Sequence, residues 1–168
     1  MTDALARPEL EGVAKTSLWT LRCRAAHPNI IHDPEAQRLS EAVALDEAGL
    51  GHAARSFAVR AARIDEHLQA FLTNHDGAQV VSLGEGFETQ SFRVHGYRRW
   101  VSVDRPEVMS ARQNVFSFDE RHVFYSGSAL DDAWFDLLVP GPLFVVALGL
   151  FFYLAETMVA DLVAKLSH

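Results

Sequence analysis

The sequence predicts an α/β fold, a doubly wound parallel sheet behind a helical N-terminal extension. Three observations carry this. Short apolar runs alternate with segments of helical periodicity, the order expected of parallel strands and crossover helices. The run Val80-Val81-Ser82-Leu83 does not alternate apolar with polar residues, as suits a strand covered on both faces. It ends in Gly84-Glu85-Gly86, and Asp104 closes the next such run twenty residues past Gly84, the spacing of a glycine turn and a strand-end acid in a nucleoside-binding α/β unit.

Taken in order, Lys15 to Ala26 is helical in pattern, and Pro28 to Pro34 is a break with no strand before it. Residues 1–52 therefore read as a helical extension or lid and residues 53–168 as the α/β domain, with the boundary between Gly49 and Arg55. From Ser56 to Leu72 the residues Phe57, Ala61, Ile64, Leu68 and Phe71 recur every three or four positions, one stripe on a helix, which Asn74-His75-Asp76-Gly77 ends. The strand Val80–Leu83 follows, then a strand Trp100–Val103 and a helix from Pro106 to about Val115, where proline suits the first turn because its missing N–H has no partner there anyway. A strand His122–Tyr125, a loop, a strand Leu143–Ala147 and a helix Glu156–Leu166 complete the series. In that last helix Met158, Val159, Leu162, Val163 and Leu166 form the predicted apolar stripe.

A chain of 168 residues with 49% hydrophobic and 22% charged content is that of an ordinary globular domain with a core of its own. Fifteen Lys and Arg against 22 Asp and Glu give a net charge of −7 with no basic block, an unfavourable field for a phosphate backbone, so nucleic acid is not an expected partner. Nor is a membrane. The apolar segment Leu143–Leu154 is far shorter than the ~20 residues a spanning helix needs, and the N-terminal residues, with Asp3, Glu9 and Glu11, do not read as a secretion signal. The single Cys23 forms no internal disulfide and fits a small buried hydrophobe in a reducing, cytoplasmic compartment. The eight histidines show no ligand spacing such as H-E-x-x-H, so no metal site is expected. No G-x-S-x-G elbow suggests a hydrolase.

The chemistry is concentrated at the glycine turn. Glycines there let backbone N–H groups approach a ligand closely, and a carboxylate ending the next strand accepts hydrogen bonds from ribose hydroxyls. Thr89 stands where a dinucleotide motif has its third glycine, the one that lets helix and strand close on a pyrophosphate. S-adenosylmethionine, a nucleoside without phosphate, suits this shorter turn better than NAD. The alternative is a plain strand-to-loop turn with a surface aspartate.

Several motifs in order resemble one known family. They are Lys15-Thr16-Ser17-Leu18-Trp19-Thr20-Leu21-Arg22, Asp33-Pro34, Arg60 with Arg63-Ile64-Asp65, the run Val81 to Gln90, Ser102 to Glu107, and Ser128-Ala129-Leu130-Asp131 with Trp134. From about Lys15 to the last residue the chain resembles the leucine carboxyl methyltransferase family, which includes bacterial polyketide O-methyltransferases. The resemblance implies a Rossmann-like class I S-adenosylmethionine-dependent methyltransferase that transfers a methyl group to an oxygen of a small molecule, a carboxylate or a hydroxyl. It further implies that Lys15 and Arg60 approach the cofactor carboxylate, that Gly84 and Gly86 line its methionine side, that Asp104 holds the ribose, and that Leu130 and Asp131 lie near the adenine. No catalytic base is nominated. The alternatives remain solvated helix-face charges for Lys15 and Arg60, a core position for Trp134 and a helix cap for Asp131.

Two departures from the family bear on activity. Ala147-Leu148-Gly149 puts Leu148 where members carry Glu or Gln. The family sheet also has seven strands in the order 3-2-1-4-5-7-6, of which only the first four are found here, so the chain reads as C-terminally truncated with Leu143–Ala147 at a border. An apolar border strand is a pairing liability, so the chain either covers it with its own helices, pairs it with a second copy in a homodimer, or is not a complete natural unit. Two other functions stay open, a cofactor-binding remnant without catalysis and a strand-pairing interaction module.

Overall fold

The computed structural model describes residues 12–43 and 52–167. Of the expected domain boundary between Gly49 and Arg55, residues 49–51 lie outside the described residues, and a helix begins at Arg55.

Strand β1 (Gln79–Leu83) is buried along its whole length. It pairs in parallel with β2 (Arg99–Asp104) on one side and β4 (Leu143–Val146) on the other, and β3 (His122–Ser126) continues the sheet beyond β2. The order is β3-β2-β1-β4, all parallel. Register sets Leu83 beside Val103 and Asp104 beside Ser126, so the loops that follow the four strands meet at one edge. Between β1 and β4 the winding reverses, and this is where open α/β sheets form their ligand crevice. The sheet is that of a Rossmann-like α/β fold.

The unalternating sequence of β1 has its counterpart in two apolar layers. Val80 and Trp100 pack with Leu68 and Leu72 of α3 (Arg55–Asn74) on one face. Val81, Val101 and Leu83 pack with Trp134 and with Leu162 of α5 (Glu156–Leu166) on the other. A third cluster joins α1 (Gly12–Ala25), α2 (Pro34–Ala42) and α4 (Pro106–Val115) around Phe87. Leu18 and Leu21 of α1 and Leu39 of α2 are buried there beside Val108, so the N-terminal helices share a core with α4 and the glycine turn.

Helix α2 was not expected from apolar periodicity, since it has little more than two turns. Its start is nonetheless written locally. Asp33 accepts the Ala36 amide at 3.0 Å as N-cap, and Pro34 occupies the first turn, both standard helix-start signals. Helix α5 departs from expectation in its packing: of the five stripe residues only Leu162 is fully buried, and Met158 and Val163 are exposed. The described sheet ends at β4, whose first three residues are only half-buried. Phe151, Phe152 and Tyr153, in the short helical turn after β4, are exposed as well.

Cys23 is buried, with the Ala54 amide donating to its Sγ at 3.2 Å. Among the described residues no group of His, Cys, Asp or Glu could hold a metal ion, and no described helix is long and apolar enough to cross a membrane.

Candidate functional site

Gly84 and Gly86 both adopt left-handed backbone, with φ of +62° and +57°. The dihedral angle favours glycine at both positions, and at Gly86 space requires it as well. A Cβ on Gly84 would meet Leu150 Cδ1 at 3.0 Å, and one on Gly86 would meet Ser17 Cβ at 2.7 Å. Helix α1 and the segment after β4 thus close on the turn from two sides. The Gly86 amide donates to Asp104 Oδ2 at 2.6 Å and the Arg105 amide to Oδ1 at 2.7 Å. Burial raises the Asp104 carboxyl above its ordinary pKa, while these two amides favour its charged form.

A cavity of about 750 Å³ opens at this edge of the sheet. Its walls come from Thr16, Ser17, Trp19 and Thr20 of α1, Phe57 and Arg60 of α3, the two glycines, Asp104 to Pro106, Val108, Gly127 to Leu130, and Leu148 to Leu150 with Phe152 to Leu154. Most of that lining is apolar. Its ionisable side chains among the described residues are Arg60, Asp104, Arg105 and Tyr153. The Arg60 guanidinium lies 4.9 Å from the Phe57 ring centroid, and its Nε is buried without a hydrogen-bond partner. Burial lowers its pKa, against the attraction of Glu88. An unsatisfied buried guanidinium N–H is costly unless an anion meets it.

The site residues expected from sequence are therefore divided. Arg60, Gly84, Gly86, Asp104 and Leu130 share the cavity. Asp131 stands behind it: its Oδ2 accepts the Tyr125 hydroxyl at 2.9 Å and the Ser128 amide at 2.8 Å, fastening the loop that presents Gly127 to Leu130. Trp134 is buried in the core and donates its indole N–H to Ala129 O at 3.0 Å, which holds the same loop. Lys15 is exposed and outside the lining, whereas its neighbour Thr16 is part of it. Leu148 lines the cavity.

Sequence reasoning assigned no role to the ionic frame behind the glycine turn. Arg93 bonds Asp33 at 2.7 Å, Asp65 at 2.6 Å and Glu88 at 2.9 Å. Arg24 reaches Asp33 and Glu88 at 3.1 and 3.0 Å and donates to Phe87 O at 2.7 Å. Burial opposes the charge of Glu88, but Arg24 and Arg93 hold its carboxyl at about 2. Arg112 lies 3.1 Å from Glu85 Oε1 and donates to Gly86 O at 3.0 Å and Glu88 O at 2.6 Å. The frame joins Arg24 and Asp33, Asp65, the turn from Glu85 to Arg93, and Arg112 across separations of up to about sixty residues, and no spacing rule connects them. The one local signal is the density of acids in Glu85-Gly86-Phe87-Glu88, a buried turn that needs cations from elsewhere.

A known protein shares much of this chain. The tetracenomycin polyketide synthesis O-methyltransferase TcmP of Streptomyces glaucescens is 29% identical over 157 residues, which cover 88% of this chain and 58% of the relative. The chain thus spans 58% of that relative's length. Residues 13–167 match the family model of leucine carboxyl methyltransferase, a span that takes in the helices of the N-terminal region, the glycine turn, Asp104 and the loop after β3, and the chain belongs to the leucine carboxyl methyltransferase family.

Proposed function

We propose that this chain binds S-adenosylmethionine in the cavity at the sheet edge and serves methyl transfer to an oxygen of a small-molecule acceptor. The observation that carries the reading is Asp104 at the end of β2, fixed by the Gly86 amide and facing a largely apolar cavity that also contains Arg60. The residues suit the cofactor. The turn is in left-handed backbone at both glycines and leaves no room for a Cβ at Gly86, Asp104 offers a carboxylate to two ribose hydroxyls, and the unpartnered Arg60 Nε offers a donor to the cofactor carboxylate. Ala129 and Leu130 supply apolar contact for the adenine.

When bound, the cofactor supplies a methyl group on a positively charged sulfur whose departure leaves a neutral thioether. What the chain contributes is orientation and exclusion of water. Trp19, Phe57, Phe152 and Tyr153 line the same cavity and would hold the acceptor beside the methyl group. A carboxylate acceptor needs no proton removed, and this agrees with a described lining that contains no histidine, lysine or glutamate. A cytoplasmic setting belongs to the same proposal and agrees with an unpaired buried Cys23.

Leu148 favours a second reading, binding without catalysis, because it places an aliphatic side chain in the cavity where the family carries a polar one. Titration calorimetry with S-adenosylmethionine tests the binding site. Transfer of a labelled methyl group to a panel of small carboxylic acids and phenols separates the two readings. Absence of cofactor binding overturns both.

A further inference from the structure

Gly84 and Gly86 face the cavity, but the side chain between them turns the other way. Glu85 is buried beneath the turn, where its Oε1 accepts the indole N–H of Trp100 at 2.9 Å and meets Arg112 at 3.1 Å. Trp100 belongs to β2, the strand that ends in Asp104. Arg112, on α4, is fully buried, stands 5.1 Å from the Phe116 ring centroid, and donates one nitrogen to both Gly86 O and Glu88 O. The two sides of Gly86 are thereby held by different elements, its N–H by Asp104 and its C=O by Arg112.

We propose that Glu85 and Arg112 form a bracket that positions the Gly86 amide and, through it, the Asp104 carboxylate. A buried guanidinium over two carbonyls needs counter-charge, and Glu85, whose charged form burial opposes and Arg112 favours, stands nearest to it from within the turn, with Glu88 and Asp104 contributing. The glycine peptide then carries a fixed tilt, and its N–H keeps one oxygen of Asp104 in place. Glu85 and Arg112 are positioning residues: neither lines the cavity. Their effect on the cofactor rests on the function proposed above, whereas their effect on the Gly86 amide does not.

Hydrogen exchange on the ligand-free full chain reads the amide directly. Glu85→Gln keeps an acceptor for Trp100 but removes the charge, and Arg112→Lys removes the fork. Both are expected to speed exchange at Gly86 by about tenfold, the scale of one lost buried hydrogen bond, with the β1 and β2 amides of Val81 and Val101 unchanged. Trp100→Phe deletes only the indole donor and gives a smaller change of the same sign, so it carries the test if Glu85→Gln fails to fold. With S-adenosylmethionine, Glu85→Gln is expected to weaken binding about tenfold in the native background and less than about twofold beside Asp104→Asn, because both changes act on one contact. Unchanged exchange at Gly86 in the folded variants overturns the bracket. Faster exchange with an unchanged cofactor affinity overturns its role in the site. If the native chain does not bind the cofactor while Gly86 exchange still rises, the proposed function fails and the bracket stands.

Discussion

Asp104, at the end of β2, accepts the amide hydrogen of Gly86 at 2.6 Å. The bond ties the end of one strand to the turn that follows its neighbour, and the Arg105 amide takes the other oxygen at 2.7 Å. A carboxylate held on both oxygens by backbone donors has its orientation set before any ligand arrives, so little conformational entropy is lost when hydroxyls approach it.

Asp104→Ala is expected to weaken S-adenosylmethionine binding by roughly 1.5–3 kcal/mol, the scale of a charged hydrogen-bond partner. Calorimetry reads the change, and an undiminished affinity removes the ribose assignment.

Leu148→Gln returns a polar side chain beside Gly149 and is expected to tighten cofactor binding, because the position lines the cavity. The same titration decides it. Equal or weaker affinity means that the amide finds no partner on the bound molecule.

Glu88→Gln is expected to destabilise the fold by about 3–5 kcal/mol near neutral pH, since it leaves Arg24 and Arg93 without one of their buried counter-charges. The native carboxyl sits at about 2, below the ordinary 4.5. Its contribution is therefore fully present above pH 4.5 and is lost as pH falls toward 2. Urea melts of both proteins across that range should converge at the acid end. A gap that stays constant with pH would show that the charge of Glu88 is not what stabilises the frame.

β4, with its first three residues half-buried, borders the described sheet, and Phe151 and Phe152 just after it and Met158 and Val163 of α5 are exposed. Pairing of two copies through this edge predicts that dilution dissociates the dimer and lowers cofactor affinity together. Light scattering that finds a stable monomer at all concentrations, with full methyl transfer to a small acceptor, rejects it.

Much of the fold was legible because its signals are local. Val80-Val81-Ser82-Leu83 announces a strand buried on both faces, Pro106 opens a helix at its own position, and Gly84 and Gly86 mark the tight turn. Helix α2 had its cap and proline in plain view at Asp33-Pro34, but its nine residues carry too few repeats for periodicity to register. The five expected residues that meet at the cavity come from three strand ends and a helix.

Alternating strand and helix patterns, the glycine turn and the strand-end acid belong to the sequence by itself, because each depends on dihedral preference or on periodicity within a few residues. Tertiary structure alone decided that Lys15 faces solvent while Thr16 faces the cavity, that Asp131 braces a loop instead of lining the site, and that Glu85 turns inward to Arg112. Those outcomes depend on which elements pack together. Arg24 and Asp65 lie on two different helices and Glu88 and Arg93 on the segment after β1, and a buried charge chooses its partner by distance in the folded core, where leaving it unpaired costs several kcal/mol.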